Sequence, residues 1–527
     1  MADGIRTRDH RDHNPGLYQL SYRHRVTERI AASLPGLRAA DGTTLVLNQH
    51  KRCQRVARLR VGCCGRMTGM RHTRYGWWLE ESGPVEPTPP LEGDSTADVV
   101  VVGGGYLGLW TAWQLRRLEP ALDVVVLDAG LAGHGPSGRN GGFVSTLWDD
   151  LPILRDRVGD EQAIAVARAS ERGVTGIGTW CEEEGIDAWF RAAPTLLVAT
   201  SEAQLEAVRE GVAACAAVGA PEEIRPLRAD ELAERCDAGF LGGTILRTSA
   251  TVHPARLSLG LRAKALAARV RLHERTPVRR LGRDGTATTP WGRVRAGHAV
   301  LAVNSATASF SGFRLAHAVA SSHIVLTEPV PDVLEELGWT GGEPIADGRT
   351  LLHYFRTTRD GRIAFGWGGG RMGFGGRRLG MLEVDPRAAR RARADLLRLF
   401  PQLAGRRITH AWGGPIDVSP THLPIFGSRG RVHHGFGFTG NGVGPSYLGG
   451  EILARLALDR RDELTRLALV DPERKLMPPE PVRWAGGTAI RAALVRADAA
   501  EDEGRRPGPV TRLVAGLPQR LGLRLPR

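Results

Sequence analysis

The chain of 527 residues has few cysteines, almost no lysine and no long apolar run. Because no stretch of about 18 uncharged apolar residues occurs, we expect no membrane span. The N-terminus is rich in Arg and His and lacks an apolar core with a cleavage site, so we expect no secretory signal. The six cysteines show neither zinc-ligand spacing nor a disulfide pattern, which predicts reduced thiols, no metal and a cytoplasmic location.

Lysine accounts for only three of the 71 basic residues, and the formal net charge is +14. The charge lies at the two ends: residues 1–75 carry a net +10, residues 476–527 carry +4, and the body between them is neutral. A protein whose main surface binds a nucleic-acid backbone would have a basic body, so the neutral body predicts no nucleic-acid partner. A basic nucleic-acid-binding arm in residues 1–75 is the alternative.

Residues 1–75 show no sustained hydrophobic period and therefore no core face. We expect either a disordered segment or an over-extended gene start, with Met67 or Met70 as the true first residue. Residues 76–96 predict a short anchored segment followed by a proline-rich linker. Residues 461–527 predict a tail with short helices.

Two apolar strands with a helix between them are the clearest structural unit. Strands at 98–102 and 123–127 flank a helix at 106–118, which predicts a parallel βαβ unit. Hydrophobic periodicity predicts further helices at 161–183, 202–217, 257–268, 385–399, 446–458 and 487–500. Further strands are predicted at 278–281, 298–303, 322–328, 362–367 and 435–438.

The strongest motif joins the first strand to the helix that follows it. Gly103, Gly105 and Gly108 satisfy G-x-G-x-x-G: the first allows a tight turn, the second lets backbone approach a pyrophosphate, and the third lets helix pack on strand. The helix N-terminus offers free N–H groups to an anion. Asp128, at the end of the second strand, is placed to accept hydrogen bonds from ribose hydroxyls. The sequence therefore predicts a dinucleotide site.

Two further glycine-rich segments favour a flavin dinucleotide. Gly135-Pro-Ser-Gly-Arg-Asn-Gly-Gly142 follows the second strand, and its small residues let the chain pass close to a bulky ligand. Ser137, Arg139 and Asn140 supply donors there. Gly435-Phe-Gly-Phe-Thr-Gly-Asn-Gly-Val-Gly-Pro-Ser446 leads into a helix, whose positive end would stabilise negative charge on a reduced flavin ring.

With these motifs, residues 75–510 resemble the D-amino-acid oxidase-like family of FAD-dependent oxidoreductases, near its gamma-glutamylputrescine oxidase branch. Other matching stretches are Leu301-Ala-Val-Asn304 and Tyr354-Phe-Arg-Thr-Thr-Arg-Asp-Gly-Arg362. The resemblance implies an α/β fold with a discontinuous Rossmann-type FAD-binding domain (97–150, 250–310 and 405–460) and an α+β substrate domain (151–249 and 311–404). It implies contacts to FAD from Gly103, Gly105, Tyr106, Leu107, Gly108, Asp128, Ser137, Arg139, Asn140, Gly141, Gly142, Val278, Ala302, Gly440, Asn441, Gly442, Val443 and Gly444.

The resemblance implies oxidation of the C–N bond of an amine or amino acid, with hydride passing to flavin N5 and the imine hydrolysed. Oxygen or an electron carrier would reoxidise the flavin, and an amino-acid dehydrogenase that uses a carrier is the alternative. A rival from another class is an FAD-containing nucleic-acid-binding protein. The sarcosine oxidase branch has a Lys where this chain has Gly444, so the family's carboxylate clamp does not carry over.

Candidate catalytic or substrate residues are His323, Tyr354 and Arg356, and Arg suits bidentate recognition of a carboxylate. Asp417 and His422 flank a turn and are expected to orient it. We expect non-covalent FAD, because Arg139 stands where covalent members have a linking His. Gly413 stands where others have a linking Cys.

Overall fold

The computed structural model describes residues 70–473 and 475–523. The predictions of disorder and of a nucleic-acid-binding arm concern residues 1–69 for the most part, and these lie outside the described residues. Residues 70–75, which the sequence analysis joins to that basic segment, belong to the folded body. Arg71 and His72 form a short strand that pairs with His410 and Ala411.

The strands, in chain order, are β1 (Arg71–His72), β2 (Ser95–Val102), β3 (Val124–Leu127), β4 (Phe143–Ser145), β5 (Arg191–Ala192), β6 (Thr195–Ala199), β7 (Ile224–Leu227), β8 (Gly242–Leu246), β9 (Ser249–Thr251), β10 (Arg271–His273), β11 (Arg280–Leu281), β12 (Thr286–Thr288), β13 (Arg293–Leu301), β14 (Ala318–Thr327), β15 (Ile345–Asp347), β16 (His353–Thr357), β17 (Ile363–Trp367), β18 (Ile408–Val418), β19 (Ile425–Arg429) and β20 (Val432–Phe436).

The α-helices are α1 (Gly76–Glu81), α2 (Tyr106–Leu118), α3 (Pro136–Arg139), α4 (Leu151–Glu183), α5 (Glu202–Ala217), α6 (Ala229–Ala233), α7 (Pro254–Ala267), α8 (Pro331–Glu336), α9 (Pro386–Leu399), α10 (Val443–Ala457), α11 (Val482–Asp502), α12 (Pro509–Ala515) and α13 (Leu517–Arg520). Short 3-10 helices lie at Asn304–Ser309, Phe374–Gly376, Gly380–Leu382, Pro401–Leu403 and Leu464–Arg466.

The first sheet contains the predicted βαβ unit. Its strands run in the order β10-β3-β2-β13-β12-β11, with β20 parallel to β13 and β19 antiparallel to β20. Strands β10, β3, β2 and β13 are parallel neighbours. The valines at 99–102 are all buried because helices and loops cover both faces of such a sheet. The carboxyl ends of β2, β3 and β13 therefore meet at one edge.

The second sheet has nine strands in the order β1-β18-β14-β17-β16-β15-β6-β8-β7 and is largely antiparallel. Strand β18 pairs with β14 along most of its length, from Val418 opposite Ala318 to Ile408 opposite Thr327. Strand β18 belongs to the predicted FAD-binding domain (405–460), but the hydrogen bonds of β18 place this strand in the second sheet. A third sheet, β4-β9-β5, lies in the segments that connect the other two.

Helices α4 and α10 pack closely because glycines face one another. A methyl group on Gly173 would lie 2.4 Å from the carbonyl oxygen of Gly444, and one on Gly176 would lie 2.4 Å from the ring of Tyr447. Helix α10 also packs on α2, where Gly450 meets Trp110. The start of α10, which carries the C-terminal glycine loop, is thus held against the first sheet. Within the described residues, no helix is long and apolar enough to cross a bilayer.

Candidate active site

A cavity of about 1000 Å³ runs from the carboxyl ends of β2 and β3 to the second sheet. The predicted FAD contacts that line it are Gly103, Gly105, Tyr106, Leu107, Asp128, Ser137, Asn140, Gly141, Val278, Ala302, Gly440, Asn441, Gly442 and Val443. Four predicted contacts do not line it, namely Gly108, Arg139, Gly142 and Gly444. The motifs chosen from the sequence thus meet in one cavity.

The turn between β2 and α2 requires glycine at two positions. Gly103 has φ +107°, and a side chain there would lie 2.4 Å from the carbonyl oxygen of Ala302. A side chain on Gly108 would lie 1.9 Å from the carbonyl oxygen of Gly103. Gly108 therefore serves the packing of helix on strand, while Gly105, Tyr106 and Leu107 line the cavity at the start of α2.

Asp128 lies on the cavity wall at the end of β3. One carboxylate oxygen accepts the N–H of Gly104 at 2.7 Å, and the other accepts the N–H of Gly130 at 2.7 Å. Burial raises the pKa of Asp128. Each oxygen keeps a further lone pair, so the carboxylate holds the glycine turn and still presents acceptors to a ligand hydroxyl.

The loop after β3 is short and rigid because its side chains bond to its own backbone. The hydroxyl of Ser137 accepts the N–H of Tyr106 at 2.8 Å, which ties the loop to α2. Asn140 donates to the carbonyl of Ser137 at 2.8 Å and accepts the N–H of Gly142 at 2.7 Å. Arg139 turns away from the cavity and forms a buried ion pair with Glu383 at 3.1 Å. Arg139 therefore does not line the cavity, and its contact with FAD stays a prediction.

The C-terminal glycine loop approaches the same cavity from the other side. Gly440 has φ +96°, and a methyl group there would meet no atom within 4 Å because it would project into open space. Asn441 donates to the carbonyl of Thr146 at 3.3 Å. Gly444 does not face the cavity: a side chain there would lie 2.6 Å from the carbonyl oxygen of Ser145.

Tyr354 is the candidate catalytic side chain that the structure places on the cavity wall. Its hydroxyl lies 2.7 Å from that of Ser322, and its ring packs over Gly141, in the predicted flavin loop. The ring also fills the space beside Gly366, where a methyl group would lie 2.0 Å away. Burial raises the pKa of Tyr354 to about 12, so the phenol is neutral and can donate a hydrogen bond.

His323 is not on the cavity wall. Side chains alternate along β14, and because Ser322 faces the cavity, His323 faces the opposite side of the sheet. It is buried there, with Nε2 3.2 Å from the hydroxyl of Ser321, and burial lowers its pKa to about 4. His323 is therefore not among the residues that line the cavity, and its catalytic role stays a prediction.

Arg356 follows Tyr354 on the same face of β16 but is covered by the loop at Gly142. It is buried and donates to the carbonyls of Gly142 and Val252 at 3.1 and 2.6 Å. Its guanidinium also lies over the ring of Trp78. Burial lowers its pKa to about 9. Arg356 therefore holds the loop and does not line the cavity, and its contact with a substrate carboxylate stays a prediction.

Residues that the sequence analysis misses form the far wall of the cavity. Asp149 and Asp150 line it side by side, and Glu210 lies on the same wall. Burial raises the pKa of Asp149 to about 6, and burial together with repulsion from Asp149 raises the pKa of Asp150. In the described part of the chain, neither aspartate has an ion pair with a cationic side chain. In the sequence they resemble an ordinary polar start to α4.

Arg378 is a second cavity residue that the sequence does not reveal. It lies in the loop between β17 and α9, and within residues 70–473 and 475–523 it makes no hydrogen bond or ion pair. Burial lowers its pKa. One arginine among so many gives no signal in the sequence, and only the fold brings it to the cavity.

Asp417 and His422 also line the cavity. Asp417 accepts the side-chain amide of Asn304 at 2.8 Å and the N–H of Gly437, so it ties β13 to the turn after β20. Burial raises its pKa to about 6. His422 has φ +68°, and burial lowers its pKa to about 4. Asp417 therefore holds the turn.

Comparison with known proteins agrees with this geometry. The model of the FAD dependent oxidoreductase family (DAO) matches residues 98–456. The chain belongs to this family. A Rhizobium meliloti protein named "Probable oxidoreductase OrdL" is 29% identical over 434 residues, 79% of this chain and 94% of that protein. The gamma-glutamylputrescine oxidoreductase of Escherichia coli is 28% identical over 394 residues, 72% of this chain and 88% of that protein.

Solved structures share the fold at low identity. Glycine oxidase from Geobacillus kaustophilus superposes with a TM-score of 0.60 at 18% identity, covering 72% of this chain and all of that one. L-Proline dehydrogenase from P. horikoshii gives 0.58 at 18% identity, covering 72% of this chain and 96% of that one. The predicted family and the predicted combination of a Rossmann-type domain with a substrate domain are confirmed.

The cavity fits the cofactor that the family uses. Glycine backbone at 103–105, 141, 440 and 442 faces the cavity from both sides. Asp128 and the first turn of α2 lie at one end of it, where the phosphates of a dinucleotide would bind. Side chains at these glycines would fill the space or strain the backbone. The protein is thus an FAD-dependent oxidoreductase.

Proposed function

We propose that this protein oxidises the C–N bond of an amine that carries a second positive charge. The observation that carries the proposal is the single cavity that joins the dinucleotide motif to a wall with paired aspartates. The relative in Escherichia coli, named for gamma-glutamylputrescine, supports an amine as substrate. The net reaction removes two hydrogens from the amine, and water then converts the imine to a carbonyl compound and ammonia.

FAD, when bound, supplies the hydride acceptor for this reaction. The side chains of the chain then position the amine. Tyr354 is neutral and bonded to Ser322, so it offers a fixed polar contact beside the flavin loop at Gly141. The reacting nitrogen must be neutral, because a protonated amine has no lone pair to assist loss of hydride.

The aspartate pair supports a substrate with a distal cation. Two carboxylates that share a partly desolvated wall repel each other, and a bound ammonium group would relieve that repulsion. Asp149 and Asp150 would then bind the charged end of a diamine, leaving the other nitrogen for oxidation. A monoamine would gain nothing from this wall.

An amino-acid dehydrogenase that passes electrons to a carrier is the second candidate. The guanidinium of Arg378, which pairs with no described residue, lies on the cavity wall and favours an amino-acid substrate, because arginine binds carboxylates in a bidentate manner. Arg378→Ala would then raise KM for amino acids and leave KM for diamines unchanged.

A panel of monoamines, diamines and amino acids tests the proposal, with ammonia release measured with oxygen and with an artificial electron carrier. We expect diamines to give the highest kcat/KM. Turnover of amino acids alone would replace the first candidate with the second. Turnover with the carrier but not with oxygen would define the protein as a dehydrogenase.

We also propose that FAD is held without a covalent bond. Arg139 is engaged with Glu383, and the three described cysteines, Cys181, Cys215 and Cys236, do not line the cavity. His134, in the loop after β3, does not line the cavity, whereas His422 does. Acid precipitation should leave yellow flavin in the supernatant. A yellow pellet with a flavin adduct on a peptide containing His422 or His134 would contradict this.

A further inference from the structure

Large apolar side chains are exposed mainly in one part of the molecule. Of the thirteen exposed large apolar residues within the described ranges, nine lie in residues 374–381, 475–484 and 506–523, which we call the rim. They are Phe374, Leu379, Met381, Leu476, Val482, Trp484, Val510, Leu513 and Leu521. Val510 is 74% exposed and Leu521 is 66% exposed. Scattered exposed leucines are normal, but a concentration of this kind marks an interaction surface.

The three segments of the rim are neighbours in space. The rings of Phe374 and Trp484 meet edge to face at 5.8 Å. The side chain of Glu480 accepts the N–H of Gly375 at 3.1 Å, which joins the first segment to the second. A methyl group on Gly522 would lie 3.8 Å from the ammonium nitrogen of Lys475, which joins the second segment to the third.

The rim borders the cavity. Gln519 in α13 lines the cavity and is exposed, and so is Ser309. Arg378, from the first segment of the rim, also lines the cavity. The first and third segments of the rim thus reach the wall of the candidate active site.

The rim is basic as well as apolar. Arg506, Arg512 and Arg520 are exposed, and no Asp or Glu occurs from 504 to 523. Arg377 and Lys475 add positive charge in the other two segments. Basic residues interleaved with exposed Leu, Val and Trp are typical of segments that lie in the interface of an anionic bilayer.

We propose that the rim docks the protein on the surface of an anionic lipid bilayer, with the cavity mouth facing the lipid. Trp484 and the exposed aliphatic residues would enter the headgroup region, where an indole ring is favoured, and the arginines would contact lipid phosphates. The protein lies on the bilayer and does not span it. A second copy of the chain is disfavoured as the occupant, because pairing two rims would bring arginine against arginine.

Sedimentation with vesicles tests the proposal, using the full chain with bound FAD. We expect binding to phosphatidylcholine vesicles that contain phosphatidylglycerol, weak binding to pure phosphatidylcholine, and release at high salt. The double variant Arg512→Glu/Arg520→Glu should lower the partition coefficient by about tenfold or more. Trp484→Ser should also lower it.

Matched controls separate the rim from general charge and from residues 1–69, which are present in every variant. Arg168→Glu/Arg209→Glu makes the same charge change on exposed positions of α4 and α5, and Trp291→Ser removes an exposed tryptophan outside the rim. Both controls should bind vesicles like the unchanged protein. Circular dichroism and flavin content establish that each variant is folded.

Absence of vesicle binding by the folded protein would overturn the proposal. Equal loss of binding in the rim variants and the controls would overturn it as well. If the protein ignores vesicles but self-associates or retains an acidic protein, and Trp484→Ser abolishes that interaction, the rim serves a protein partner and the lipid proposal fails. None of these readouts depends on the identity of the amine.

Discussion

Asp149 and Asp150 show how a fold can change the chemistry of an ordinary pair of residues. Next to each other at the start of a helix, they would be solvated and fully charged. On the cavity wall, burial raises both pKa values, and that of Asp149 reaches about 6. A cation that binds between the two carboxylates relieves their repulsion, and this relief favours binding of the cation.

Asp150→Asn tests this pair. We expect KM for a diamine to rise about fivefold, since one partly shielded ion pair corresponds to about 1 kcal/mol, while KM for a monoamine stays unchanged. Asp160→Asn, at an exposed residue paired with Arg155, is the matched control. An equal rise for both kinds of amine would remove the pair from substrate binding.

The same aspartates predict a pH dependence. Because the pKa of Asp149 is raised to about 6, its carboxylate is charged above that pH and neutral below it. KM for a diamine should therefore rise as the pH falls through about 6. In the double variant Asp149→Asn/Asp150→Asn this rise should disappear, and a rise that persists would assign it to another group.

Arg356 illustrates the opposite outcome, a charged residue whose task is structural. Arg356→Ala would leave the carbonyls of Gly142 and Val252 without their donor, and we expect a loss of about 2 kcal/mol in the free energy of unfolding. Thermal denaturation measures this. KM should change equally for acidic and neutral amines, and a selective rise for the acidic amine would restore the carboxylate role.

At the scale of elements, the glycine turn between β2 and α2 carries the cofactor assignment. A side chain on Gly105 would lie 2.9 Å from the hydroxyl of Ser137 and would enter the cavity. We expect Gly105→Val to yield a folded but colourless protein. Gly486→Val, at a position with open space around it, should keep its flavin. Normal flavin content in Gly105→Val would contradict the assignment.

Elements with a strong local signal could be predicted closely from the sequence. The helices predicted at 106–118 and 202–217 have those bounds in the structure. The helix predicted at 161–183 begins at Leu151 in the structure, because it continues across a kink at Gly159, where φ is +76°. The strand predicted at 298–303 begins earlier in the structure, at Arg293. In this N-terminal half of the strand, exposed and buried residues alternate.

Long-range features could not be predicted in the same way. The family resemblance places β18 in the FAD-binding domain. In the structure its partner is β14, about 90 residues earlier in the chain, and nothing local in the sequence indicates that pairing. Tyr354 and Ser322 meet through the register of β14, β17 and β16, and Arg378 reaches the cavity from a loop. The dinucleotide motif could be read from the sequence because its residues are close together in the chain.

At the scale of the whole molecule, the first described residues already pack into the fold. Trp78 in α1 is fully buried, and β1 pairs with β18. A protein that starts at Met67 should fold and bind FAD, whereas one that starts at Gly83 should lose the Trp78 contacts and be insoluble. Soluble yield and flavin content measure this. Failure of the Met67 protein would show that residues 1–66 are needed.

Reduction of the bound flavin in the absence of oxygen tests the central claim most directly. The purified yellow protein, mixed with a diamine under argon, should lose its flavin absorbance and yield one carbonyl product per flavin reduced. Asp150→Asn should need a higher diamine concentration for the same bleaching. A flavin that stays oxidised with every amine and amino acid, or a protein that responds to NAD instead, would contradict the account.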